Sequence, residues 1–68
     1  MQTNDRYSSR LRNSDGSIAL ARTETQELKL IEKVGSNWKC QGWYSNEPTV
    51  FYDWTVPEQT ILAQFTKV

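Results

Sequence analysis

The chain has 68 residues, room for one domain, and a core this small leaves stability marginal without help from a disulfide, a metal or a partner. Eight Lys and Arg balance eight Asp and Glu, histidine is absent, and Cys40 is the one cysteine. These counts exclude an internal disulfide, a Cys/His zinc site and Ser-His or Cys-His catalysis, so neither enzymatic activity nor a metal or cofactor is expected.

Met1 to Arg6 are polar where a secretory leader turns apolar, and no apolar run approaches the roughly 20 residues that cross a bilayer. The expectation is a soluble, cytoplasmic protein with no membrane contact. Residues 1–16 hold Met1, Tyr7 and Leu11 as their only large apolar side chains, too few to offset the entropy of ordering. They read as a flexible polar N-terminal arm, followed by a small β domain over residues 17–68. The arm carries Arg6, Arg10 and Arg12, and residues 1–22 have a net charge of +2 (four Arg against Asp5 and Asp15), balanced by −2 over the rest (four Lys against six Asp and Glu). Asp15-Gly16 closes the arm as a turn, because glycine takes a positive φ without steric cost.

Ser17 to Arg22 then puts Ile18 and Leu20 on one side and alanines on the other, a short strand. Gln26 to Val34 alternates Leu28 and Leu30 with Glu27 and Lys29, a half-buried strand, although adjacent Leu30 and Ile31 also suit a helix. Gly35-Ser36-Asn37 turns the chain into Trp38 to Tyr44, where Trp38, Cys40, Gly42 and Tyr44 share one face and Lys39, Gln41 and Trp43 the other. The two segments make a hairpin. Gly42, between bulky residues, marks a bulge or a bend.

Ser45 to Pro48 forms the next turn. Thr49 to Val56 has β-branched or aromatic residues at seven of eight positions, with Val50, Tyr52, Trp54 and Val56 on one face and Phe51, Asp53 and Thr55 on the other. Aromatics on both faces suggest the central strand. For the last segment two readings stay open. Thr60 to Lys67 suits a strand through β-branched Thr60, Ile61 and Thr66, which is preferred; Thr55 and Glu58 in capping-box spacing, with Pro57 between, suit a short helix. The fold expected is all-β, an antiparallel meander of about five strands rolled into an SH3-like barrel or a strongly twisted sheet.

Seven of the eight aromatics fall between Trp38 and Phe65. Trp38, Tyr52 and Trp54 share faces with Cys40 and Val50 and belong to the core, and Cys40 reads as an inert buried thiol. Trp43 stands with Lys39 and Gln41 on the outer face, near Tyr44 and Phe51, as a candidate binding surface whose removal would spare the fold. Asp53 and Glu47 imitate a catalytic carboxylate pair, but a domain this small rarely builds the cleft such chemistry needs. The layout of a hairpin, a Trp- and Tyr-rich middle and a Pro-containing turn before the last element is similar to SH3-like and chromo-like barrels. It has neither the acidic, Tyr-containing loop of peptide-binding SH3 domains nor a methyl-lysine cage, so the likeness is one of fold.

The function expected is that of a non-catalytic protein-interaction module or small accessory or regulatory subunit, docking on a larger protein partner, with self-association through edge strands as a further route. The alternative is a single-stranded nucleic-acid-binding domain that stacks bases on aromatics and uses the arginine arm on phosphates, disfavoured by zero net charge.

Overall fold

The computed structural model describes residues 1–68. Five strands and one short helix follow in the order β1 (Arg6–Arg10), β2 (Thr25–Val34), β3 (Asn37–Tyr44), β4 (Tyr52–Pro57), α1 (Glu58–Gln64) and β5 (Thr66–Lys67). All strands join one antiparallel sheet in the spatial order β4-β3-β2-β1-β5. The protein is therefore mostly β and a meander, as expected, but the sheet is open, with β4 and β5 as its edges, and not a closed barrel. No helix is long and apolar enough to cross a membrane.

The hairpin between β2 and β3 fixes the register of everything else. Val34 pairs with Asn37, so only Gly35 and Ser36 form the turn, with Gly35 at φ 61°, the positive value that a tight two-residue hairpin requires at its first position. Past a one-residue shift in the ladder, Leu28 faces Gly42 and Leu30 faces Cys40. The bulge lies not at Gly42 but at Ile31, the extra residue between the pairs Leu30–Cys40 and Glu32–Lys39. Gly42 is required for another reason. A Cβ there would stand 1.8 Å from the Trp54 ring, which lies flat across the strand at that point.

The flexible arm expected over residues 1–16 is corrected by β1. Arg6 to Arg10 pair along their whole length with β2, and Tyr7 and Ser8 also pair with β5. Tyr7 and Ser9 are buried, and the backbone ladder on both sides supplies what the polar side chains do not. The strand expected over Ser17 to Arg22 is absent, because both edges of β2 are already taken by β1 and β3. Those residues belong instead to a 14-residue connection (11–24) pinned by one bridge, Arg12 to Ile18, and by a turn in which Asp15 accepts the Ser17 N–H at 2.9 Å. The Ser17 hydroxyl, and after it that N–H, hold the Asp15 carboxyl below the usual range. Thr49 to Val56 is likewise not central. Its ladder starts at Tyr52, and β4 is an edge.

The last segment turns out to be both helix and strand. Pro57 precedes α1 without any side-chain cap, so Thr55 does not close a capping box. The Glu58 N–H donates to the Ser36 carbonyl at 2.9 Å, and its carboxylate accepts from Trp38 Nε1 at 3.1 Å and Lys33 Nζ at 3.2 Å. The Trp38 and Lys33 bonds hold that carboxyl below the usual glutamate range. The helix lays Ile61, fully buried, onto Tyr7, Leu28, Leu30, Trp38 and Cys40, with Trp54, Val56 and Phe65 around them. Burying one such aliphatic side chain contributes about 1.5–3 kcal/mol. Seven residues of helix span about 10 Å, whereas five strands span about 19 Å, so part of this face stays open.

Candidate functional site

The sheet has two faces of different character. The helix side holds the core. The opposite, outer side has no element packed on it, and the strand register arranges its side chains in rows. One row runs Arg6, Lys29, Gln41, Asp53 across four strands, and the next runs Ser8, Glu27, Trp43.

Trp43 organises this face. The Arg6 guanidinium carbon lies 5.0 Å from the centre of its ring, a cation–π contact, and Phe51 meets it edge-on at 5.8 Å and 78°. Trp43 is thus on the outer face, as the alternation predicts, but only 9 % exposed, whereas Phe51 is 53 % exposed. The aromatic surface exposed on this side is therefore mainly Phe51, not a bare indole.

Beside them is a groove of about 350 Å³ lined by Arg6, Lys29, Gln41, Trp43, Pro48 and Phe51. Its polar groups are unspent. The ion pairs of the chain are Arg22–Glu24, Lys33–Glu58 and Lys67–Asp5, none of which involves Arg6 or Lys29. Glu27, in the neighbouring row, accepts the hydroxyls of Ser8 and Thr25 through its Oε2, the latter at 2.9 Å, and forms no ion pair with either cation. Arg6 and Lys29 stand directly opposite each other in the ladder, an arrangement of like charges that costs stability.

Of the residues expected to form a binding surface, Gln41, Trp43 and Phe51 meet in this groove, joined by Arg6, which was expected in the arm. Lys39 is on the same face one row further, beside Thr55, and Arg10 is on it at the end of β1. Tyr44 is on the helix side, edge-on to Tyr52 and Trp54 at 6.0 and 5.8 Å, and Arg12 lies in the 11–24 connection, donating to the Gly16 carbonyl at 2.8 Å. Lys29 and Pro48 complete the groove and were not singled out from sequence. Lys29 reaches its place opposite Gln41 through the Ile31 bulge, since counting back from the Gly35 turn alone would set it opposite Gly42, on the other face.

A second hollow, about 770 Å³, opens where α1 does not reach, between the 11–24 connection and Tyr44 and Tyr52. Its arginines are already engaged, Arg12 with Gly16 and Arg22 with Glu24. Glu47 lines this hollow, whereas Asp53 borders another, so the two carboxylates face different spaces. Cys40 is buried on the helix side, where burial pushes its thiol above the usual range and disfavours the reactive thiolate. No protein-family model matches the chain, and comparison with curated proteins and with solved structures finds no match.

Proposed function

We propose that this protein is a non-catalytic interaction module, a small accessory or regulatory subunit that presents the outer face of its sheet to a larger protein. The observation that carries the reading is the uncovered outer face, where the Trp43–Phe51 pair is bordered by the unpaired cations Arg6 and Lys29. An aromatic anchor with unspent hydrogen-bond donors at its rim is the usual composition of a binding hot spot. A buried thiol with a raised pKa and a chain without histidine support the non-catalytic part. A cytoplasmic setting belongs to the same proposal, on the ground of a lone thiol and no disulfide.

Nucleic acid fits this face less well. Successive bases need successive open rings, and with Trp43 shielded by Arg6 only Phe51 is exposed on this face. Glu27 and Asp53 interrupt any track of cations for a phosphate backbone. Self-association would use the free edge of β4 and leave the outer face unexplained.

Affinity capture from native extract with the immobilised chain tests the reading when run beside Phe51→Ser and Leu62→Ser. Both residues are exposed, one on the outer face and one on the helix. A protein should be retained by the parent chain and by Leu62→Ser and lost by Phe51→Ser, with thermal midpoints within a few degrees of each other. Retention unaffected by Phe51→Ser, or retention of nucleic acid alone, would overturn it.

A further inference from the structure

The outer-face groove carries more than a docking patch, because its chemistry is divided. At one end are two cations with no acid of their own, and along the other runs an apolar wall of Phe51, Pro48 and the edge of Trp43. Stacking on Trp43 holds the Arg6 guanidinium in place, so little side-chain entropy remains to be lost when it accepts a partner. Lys29 is its direct neighbour across the ladder. Two positive charges kept together in a folded sheet repel each other, and an anion placed between them removes that repulsion and gains charge-assisted hydrogen bonds from both.

We infer that Arg6 and Lys29 form the binding site for one carboxylate side chain of an acidic peptide segment in the protein partner, with the residue next to that carboxylate apolar and seated against Phe51 and Pro48. The inference rests on the interaction reading above and names the chemistry of the partner. Charge complementarity selects the occupant. The groove is lined by two cations from directly paired positions of the ladder, enough charge for a single carboxylate, and the flanking Glu27 and Asp53 repel a polyanion that runs past them. Gln41, between Lys29 and Asp53, offers an amide to the peptide backbone.

The test is an NMR titration of the isotope-labelled chain at low salt with three probes: acetyl-Gly-Glu-Leu-Gly-amide, the same peptide with Gln for Glu, and single-stranded oligothymidylate. The Glu peptide should shift the Arg6 Nε–H, Lys29 amide and Trp43 indole resonances saturably, and the Gln peptide should bind about tenfold more weakly, the loss of a charge-assisted bond pair. Lys29→Gln, which keeps the Arg6–Trp43 contact, should weaken the Glu peptide about fivefold or more and leave the Gln peptide unchanged; Arg6→Gln should do the same if its spectrum stays dispersed. Equal binding of the Glu and Gln peptides, shifts confined to other residues, or tighter binding of oligothymidylate at these residues would overturn the inference. If the captured partner is lost by Phe51→Ser but fully kept by Lys29→Gln, the carboxylate site is wrong while the interaction reading stands. If neither substitution affects capture, both are wrong.

Discussion

Gly42 shows how one missing side chain positions another residue. It is buried at the middle of β3, and the Trp54 ring lies across it from the diagonal position on β4, stacked in turn on Tyr52 at 5.5 Å and 10°. In Gly42→Ala the new methyl would need the space of ring carbons Cε3 and Cζ3, 1.8 and 1.9 Å away, so Trp54 must leave Tyr52 and the core. We expect a loss of about 1–3 kcal/mol by urea denaturation, the range for overpacking a filled site, together with a weaker near-ultraviolet dichroism signal. A variant as stable as the parent would show that the ring is free to move. From sequence, a glycine among bulky strand residues reads equally as a bulge or as a seat for an aromatic ring, and only the β3–β4 register decides between them. Trp43 teaches the complementary lesson. Alternation places it on the outer face correctly, but its shielding depends on Phe51 folding back from the residue just before β4 and on Arg6 arriving from β1, neither of which alternation records.

Among the elements, β1 departs furthest from its local composition. Arg-Tyr-Ser-Ser-Arg has one strong β-former, yet pairing on both sides makes it a strand, a case of tertiary context overriding propensity. Tyr7 then bears much of the load, since its ring is part of the core beneath Ile61. Tyr7→Ala should cost about 3 kcal/mol, measured as a shift of the urea midpoint at constant slope. A change below about 0.5 kcal/mol, typical of surface sites, would return these residues to the status of an arm. Helix α1 is likewise held less by its own sequence than by its seat. Its first residue, Glu58, binds Trp38 of β3 and Lys33 of β2, which is why its carboxyl titrates low in the folded protein. A carboxyl with a depressed folded-state value favours folding above its unfolded-state value, and that advantage fades as pH falls through the depressed one. Glu58→Gln should therefore melt below the parent near neutral pH, with the gap closing as acid is added through the glutamate range. Melting curves recorded along that pH series check it, and a gap independent of pH would mean that the carboxylate charge has no part in holding the helix.

At the scale of the molecule, what is local proved legible and what is distant did not. The hairpin of β2 and β3 and the two faces of β3 follow from alternation, and with them the placing of Trp43, Lys39 and Gln41 on one surface, whereas its turn holds two residues and not the three expected, and the Ile31 bulge leaves no mark in the pattern. Strand order beyond the hairpin is a non-local property. Thr49 to Val56 is rich enough in β-formers to suit a central strand, but it forms an edge, because the neighbour that could have covered it, β5, is led away by α1 to pair with β1. The same crossover explains why the last segment carries signals of both helix and strand: seven residues cover the core and two then zip to the far edge. The groove was half legible for the same reason, with its β3 residues found and its β1 and β2 cations brought in by pairings that no short window contains.

The ladder between β1 and β5 also makes the fold almost a ring. Tyr7 lies beside Lys67, and the Val68 N–H donates to the Arg6 carbonyl at 2.9 Å, so the two ends of the sheet's connectivity touch. Circular permutation is the natural consequence: a linker from Val68 to Met1 would close the backbone on the side where Val68 already meets Arg6, and the exposed turn at Asn13 to Gly16, which belongs to neither the core nor the outer-face groove, is where it can be reopened. In such a chain β5 and β1 would be joined by a hairpin-like connection and fold as near neighbours in sequence, turning the slowest, most distant pairing of the sheet into one of its most local.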